Sequence, residues 1–188
     1  MELGCVILAA GSAVRFGGNK LTARFRGKML IEWAFDAVPA ERLSAVAVVT
    51  QYPVVEALAA ARGFETIRNP EPELGISRSV VLGTAALAER CGGIVYLAAD
   101  QPLLRRATVE GLLERFLEDP TRVAVPAAGE RQGNPCVFPK TLFPELLTIT
   151  GDRGGRQIKN RHPELVTLVP VPEEELFDVD TLSDLNCL

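Results

Sequence analysis

The sequence has 188 residues, 47% hydrophobic and 23% charged, the balance of a soluble globular chain long enough to bury a substantial core as one domain over residues 1–188. Its 20 Lys and Arg against 24 Asp and Glu leave a net charge of −4, without the basic excess that nucleic-acid binding calls for. No apolar run nears the roughly 20 residues of a membrane span and no basic segment precedes an apolar one as in a secretory signal, so a cytoplasmic protein with neither nucleic acid nor membrane as partner is expected.

In chain order, a strand over Cys5–Leu8 runs into a loop of small residues, Ala9 to Lys20, that carries Arg15 and Lys20. A helix is predicted over Leu30–Val38, a strand over Ala45–Thr50, and a helix over Val54–Arg62 stopped by Gly63. A strand over Phe64–Arg68 follows, then a helix from Ser77 or Ser79 to Arg90, stopped by Gly92 and Gly93. Next come a strand over Ile94–Ala99, a helix with Thr108 as its N-cap that ends before Asp119, and a strand over Arg122–Val125. Val123–Pro126 and Pro135–Phe138 flank a turn at Ala127–Gly133 and read as an antiparallel excursion. Helical stretches over Thr141–Leu147 and Gly155–Arg161 and a strand over Leu165–Val171 complete the pattern, and Thr181 with Asp184 forms a capping box for a short last helix.

Strand and helix alternate, and the strands are apolar throughout. That predicts an α/β fold, a three-layer α/β/α arrangement with a mostly parallel, Rossmann-like sheet covered on both faces and a small antiparallel excursion. Ligands of such sheets collect at the C-terminal ends of the strands.

The loop after the first strand has the character of a phosphate cradle. Gly and Ala leave amide N–H groups uncovered where an anion must come close, and two cations stand within a few residues. The two best-known phosphate loops do not fit. A dinucleotide fingerprint needs closely spaced glycines, whereas Gly11 is next followed by Gly17. A Walker loop needs Gly-Lys-Ser/Thr, but Gly27-Lys28 is followed by Met29, and Thr22 stands where the first glycine belongs. Hydride transfer and P-loop hydrolysis lose their main support.

Polar features fall at other strand ends too. Asp100 follows an apolar strand, where a carboxylate is either metal-bound or a turn residue. Asp178 and Asp180 alternate, so only one is expected to face the site, with helix capping as the other use of Asp180. Gly75, Ser77 and Ser79 open a helix whose free N–H groups either hold a ligand or are merely capped. His162 is the only histidine, and Cys5, Cys91, Cys136 and Cys187 form no close pair. A zinc site and a histidine-based dyad are therefore disfavoured. The cysteines read as reduced, mostly buried thiols, and any metal falls to carboxylates, which means Mg²⁺ or Mn²⁺.

Leu8-Ala-Ala-Gly11, Arg15, Gly17 and Lys20 resemble the signature loop of the MobA-like nucleotidyltransferases. Gly75-Ile-Ser77-Arg-Ser79, Asp100-Gln-Pro102, Gly133-Asn-Pro135, Gly151-Asp-Arg-Gly154 and Asp178-Val-Asp-Thr181 continue the resemblance in order over nearly the whole chain. The set most resembles the molybdenum cofactor cytidylyltransferase branch. The resemblance implies transfer of CMP from CTP to the terminal phosphate of molybdopterin carrying molybdenum, with release of pyrophosphate and a molybdenum hydroxylase as recipient of the product. It implies that Leu8, Ala9, Ala10, Gly11 and Ser12 hold the nucleotide, that Arg15 and Lys20 face the triphosphate, and that Gly75, Ser77 and Ser79 complete the pocket. By the same resemblance Asp100 and Asp180 hold Mg²⁺, with Asp100 counted among the catalytic groups beside Arg15 and Lys20, and Gly133, Asn134, Gly151 and Asp152 line the pterin side.

Ala10 stands where the guanylyltransferase branch usually has a second glycine, and its methyl crowds a purine, which favours CTP over GTP. Ala13, Arg78 and Leu182 depart from the usual pattern. A guanylyltransferase for the same cofactor, a transferase acting on a sugar phosphate, and a non-catalytic cofactor chaperone are the competing readings.

Overall fold

The first strand, β1 (Leu3–Ala9), already carries the instruction for a layered fold. Leu3, Cys5, Ile7 and Ala9 enter one apolar cluster, while Val6 and Leu8 face a second cluster across the sheet. A strand apolar on both faces must be covered on both. The computed structural model describes every residue except 13–15, 17 and 188.

The short pair β2 (Arg24–Phe25) and β3 (Lys28–Met29) stands apart as an antiparallel ribbon that the sequence pattern did not predict. Arg26 and Gly27 turn it, both with positive φ (47° and 87°). The main sheet continues with β4 (Ala45–Thr50), β5 (Glu65–Arg68), β6 (Gly93–Ala98), β7 (Val123–Ala128), β8 (Arg131–Gln132), β9 (Cys136–Pro139) and β10 (Val166–Pro170). Its order is β10-β7-β9-β6-β1-β4-β5, with β8 added to β7. All contacts of β1 are parallel, and β9 and β8 run against their neighbours.

Helices α1 (Leu30–Asp36), α2 (Pro53–Ala61) and α4 (Arg106–Glu118) cover one face through Ile31, Phe35, Val55, Ala59, Val109, Leu113 and Phe116. Helices α3 (Ile76–Leu87), α5 (Phe143–Leu146) and α6 (Arg156–Arg161) cover the other through Val80, Leu87, Phe143, Leu146 and Ile158. On α4 the buried positions Val109, Leu112, Leu113 and Phe116 recur at helical spacing. Each such side chain contributes about 1.5–3 kcal/mol on leaving water. A short α7 (Leu182–Asn186) closes the described chain. Among the described residues no helix is long and apolar enough to cross a membrane.

The expected three-layer arrangement is present, and the departures have physical causes. Thr108 lies inside α4 instead of capping it. The cap position is Arg105, which makes no side-chain cap; its own backbone N–H donates to the buried Glu175 carboxylate at 3.0 Å, so a distant acid fixes the helix start from outside the first turn. The antiparallel excursion is also more divided than expected. A tight turn at Gly129 and Glu130 folds β8 back on β7, and only then does the chain leave to insert β9 between β7 and β6.

Strand register fixes where the site forms. Ala9 lies level with Thr50 and Leu8 with Ala98, so β1, β4 and β6 end together and their loops leave side by side. The chain lays β4 and β5 on one flank of β1 and then crosses to β6 on the other, which makes β1 the point where strand order reverses.

Candidate functional site

A cavity of about 550 Å³ opens at this reversal point. Leu8, Ala9, Ala10, Gly11 and Ser12 line it from the end of β1, and Ala98, Ala99 and Asp100 line it beside them from the end of the neighbouring β6. The backbone of the wall after β1 is held from behind. Thr50 Oγ1 donates to the Ala9 carbonyl at 2.9 Å, Gln51 Nε2 to the Ala10 carbonyl at 2.8 Å, and the Tyr52 hydroxyl to the Gly11 carbonyl at 2.8 Å. Sequence reasoning passed over these three residues. The available signal was a polar run directly after an apolar parallel strand.

Lys20 closes one end of the cavity. Asn19 caps the turn that carries it, accepting the Leu21 N–H at 3.1 Å. The Lys20 ammonium donates to Asp100 Oδ2 at 2.5 Å, to the Val179 carbonyl at 2.9 Å and to Asp180 Oδ1 at 3.3 Å. Burial presses this ammonium toward neutrality, but the charges and hydrogen bonds of Asp100 and Asp180 outweigh it, and its pKa stands above the ordinary lysine value. The segment that delivers Asp180 is docked by the Val179 N–H on the Asp100 carbonyl at 2.9 Å. Thr181 and Asp184 form the expected capping box, so the Asp180 carboxylate is left for Lys20.

Two carboxylates converging on one cation are an oxygen donor set suited to a divalent ion. Among the described residues no three His, Cys, Asp or Glu gather closely enough to hold a metal alone. The acidic pair therefore fits an ion whose remaining ligands are water and substrate phosphate, the usual way Mg²⁺ is held.

Gly75 allows the third wall. It has φ +85°, and a Cβ there would stand 2.3 Å from Asp152 Oδ1 and 2.7 Å from the Gly151 carbonyl carbon. The two loops meet at this contact, and the Ser77 N–H donates to the Gly151 carbonyl at 3.1 Å. Ser79 lines the cavity and accepts from Asn69 at 3.1 Å. Ser77 does not line it. Its side chain is fully buried and accepts from Gln157 at 3.3 Å, so α3 and α6 are joined through it.

A second cavity of about 680 Å³ adjoins the first and shares Leu8, Ile76 and Asp152 with it. Gly133 and Asn134 line it, as do Tyr96 and Phe138, which pack edge to face at 5.7 Å. Arg131, Arg153, Arg156 and Lys159 bring positive charge, against Glu130, Asp152 and Asp178. Arg153 falls inside the Gly151–Gly154 motif but was given no role of its own, and Arg131, Arg156 and Lys159 were not singled out, because their spacing carries no motif. Lys159 donates to Cys136 Sγ at 3.5 Å. Burial raises the Cys136 thiol pKa, opposed by that lysine. Cys5 and Cys91 are buried as well, Cys187 is exposed, and all four thiols are free, as expected.

The alternation of Asp178 and Asp180 works otherwise than expected. Because two cavities lie side by side, Asp180 faces the first and Asp178 the second. Asp178 is open to its cavity, yet the surrounding protein pushes its carboxyl up to about 6. Loss of water is the main cause and the charges of Asp100 and Asp180 add to it, against a hydrogen bond from Gln101 and the charge of Lys20. Of the other predicted site residues, Gly151 acts through its carbonyl behind the wall, and Arg15 lies outside the described residues.

Residues 5–165 match the MobA-like NTP transferase domain. The chain is 26% identical over 190 residues to a probable molybdenum cofactor guanylyltransferase of Thermococcus sibiricus, covering 96% of this chain and 94% of that protein. It is 30% identical to the purine catabolism protein PucB of Bacillus subtilis, covering 94% and 90%. The crystal structure of Rv0371c from Mycobacterium tuberculosis H37Rv aligns with a TM-score of 0.81 at 25% identity over 100% of this chain and 97% of that one, and another structure of that protein is a complex with manganese. With a matching domain over most of its length, the chain belongs to the family of MobA-like NTP transferase domains.

Proposed function

We propose that this nucleotidyltransferase transfers CMP from CTP to the phosphate of molybdopterin carrying molybdenum, releasing pyrophosphate. The observation that carries the reading is the pair of adjoining cavities, one backed by a small-residue loop and closed by Lys20, the other rich in cations. A nucleotide in the first and a phosphate-bearing acceptor in the second would meet beside Leu8, Ile76 and Asp152.

In this reading an acceptor phosphate oxygen attacks the α-phosphorus, the new P–O bond forms, and the bond to pyrophosphate breaks. The nucleophile is already anionic, so positioning and charge neutralisation matter more than a base. That suits a site whose chain has one histidine, held by Glu145 away from both cavities. Lys20 and Arg15 would meet the charge that moves onto the leaving group. Gly11, Ser12, Gly75 and Ser79 would hold the nucleotide, and Gly133, Asn134, Lys159 and Asp152 the acceptor. Asp100 and Asp180 would hold Mg²⁺ or Mn²⁺, which supplies charge neutralisation on the phosphates. The manganese complex of the Mycobacterium relative supports a divalent ion in this family.

Ala10 in the first wall supports cytosine over guanine. Guanylyl transfer to the same acceptor is the second reading, favoured by the name of the Thermococcus relative. The test incubates the protein with each nucleoside triphosphate, Mg²⁺ or Mn²⁺ and candidate acceptors, and follows pyrophosphate. Release with CTP and molybdopterin is expected. Release only with GTP, or only with a sugar phosphate, overturns the assignment, and tight binding without any pyrophosphate makes the protein a cofactor carrier.

A further inference from the structure

We propose that Thr50, Gln51 and Tyr52 are positioning residues for the nucleotide, acting through the loop after β1. This rests on the reading that the first cavity takes a nucleotide. The backbone ladder between β1 and β4 ends at the Ala9–Thr50 pair. Beyond it, consecutive side chains take over. Thr50 holds the Ala9 carbonyl, Gln51 the Ala10 carbonyl and Tyr52 the Gly11 carbonyl, at 2.9, 2.8 and 2.8 Å. The sheet contact is thus carried past its own end by side-chain donors.

A trans peptide is planar, and its N–H points opposite to its C=O. When Gln51 draws the Ala10 carbonyl toward β4, it turns the Gly11 N–H the other way. When Tyr52 draws the Gly11 carbonyl, it does the same for the Ser12 N–H. The other way is the β6 side, since β6 flanks β1 opposite β4, and there Ala98, Ala99 and Asp100 line the same cavity. On that flank the Ala99 N–H donates to the Leu8 carbonyl at 3.3 Å, which fixes the root of the loop. Among the described residues neither the Gly11 nor the Ser12 N–H has another acceptor. The geometry presents two amide donors to acceptor atoms of the nucleotide, and the three side chains behind them hold that presentation.

Gln51→Leu and Tyr52→Phe each remove one donor at a half-buried position, so the core is spared. Two readouts apply. In the ligand-free protein, amide ¹⁵N order parameters of Gly11 and Ser12 should fall in both variants. In turnover, the nucleotide KM should rise about two- to tenfold per variant, the scale of one hydrogen bond, with kcat, acceptor KM and Tm held. Unchanged order parameters overturn the proposal. Lowered order parameters with an unchanged nucleotide KM overturn it equally. If wild type turns over no nucleotide, the functional reading fails, and the order parameters still decide whether the side chains hold the loop. If Gln51→Leu fails to fold, Tyr52→Phe carries the test alone, since it removes only a hydroxyl oxygen.

Discussion

Around the first cavity one side is main chain and small residues, Leu8 to Ser12 and Ala98 to Ala99, set at the ends of two adjacent parallel strands, β1 and β6. Around the second stand long side chains: Arg131 and Phe138 on the antiparallel excursion, Tyr96 on β6, Arg153 in the turn before α6, and Arg156 and Lys159 on α6. Backbone walls present the same donors whatever the side chains are, and they are rigid because the sheet fixes them. Side-chain walls are free to change with the acceptor. Under the proposed function a division of labour would follow, in which the first cavity carries what nucleotidyl transfer needs and the second the choice of acceptor.

The largest expected effect falls where the two meet the chemistry. Asp100→Asn should leave the fold near normal and lower metal-dependent turnover by about 10³-fold, on the scale of a lost transition-state contact. Full activity in that variant would remove Asp100 from the site. Lys20→Met should cost about 2–4 kcal/mol in kcat/KM by the same reasoning, read by steady-state kinetics with the acceptor saturating.

Gly75→Ala probes whether the two walls are one unit. Its methyl would strike Asp152 and the Gly151 carbonyl, and its φ of +85° is strained for any other residue. A loss of about 1–3 kcal/mol in stability is expected, with both KM values raised, because Asp152 borders both cavities. A variant that changes only the nucleotide KM would show that the walls act separately.

This same division explains what could be read from the sequence. The parallel core, the loop Leu8–Gly11, Asp100 and the Thr181–Asp184 box were legible, since each depends on local pattern: strand period, small residues at a strand end, a cap at fixed spacing. Thr50, Gln51 and Tyr52 were not, because their partners lie across the sheet, 41 positions away in each pair. Glu175 escaped for the same reason, fixing a helix start 70 positions earlier. Ser77 misled in the opposite direction. Its helix-start position suggested a ligand contact, and tertiary packing spent its hydroxyl on Gln157.

On the acceptor side, Lys159→Met and Arg156→Ala sharpen the comparison. Each should raise the acceptor KM about tenfold, the scale of one charge-assisted hydrogen bond, while the nucleotide KM stays unchanged. An equal rise in both would break the assignment of the cations to the second cavity.

The smallest effect tests whether the regions are electrically independent. Asp178 belongs to the second cavity, yet Asp100 and Asp180 of the first help push its carboxyl up to about 6 from an ordinary value near 4. Between those values the folded protein keeps a proton that the unfolded chain has released, so this group's contribution falls as pH rises from about 4 to about 6 and is a constant penalty above that. Solvent in the cavity screens the charges, and the penalty should stay below about 1 kcal/mol. Asp178→Asn removes it. Without divalent ions, the variant's Tm should exceed that of wild type at pH 7.5, and the difference should vanish near pH 4. A difference that is flat across that range would mean that the Asp178 carboxyl is not raised at all; the share owed to the acids of the first cavity is read from whether Asp180→Asn shrinks the pH-dependent difference. A divalent ion bound by Asp100 and Asp180 would cancel part of their charge, so adding Mn²⁺ at pH 7.5 should narrow the gap and link occupancy of one cavity to the charge state of the other.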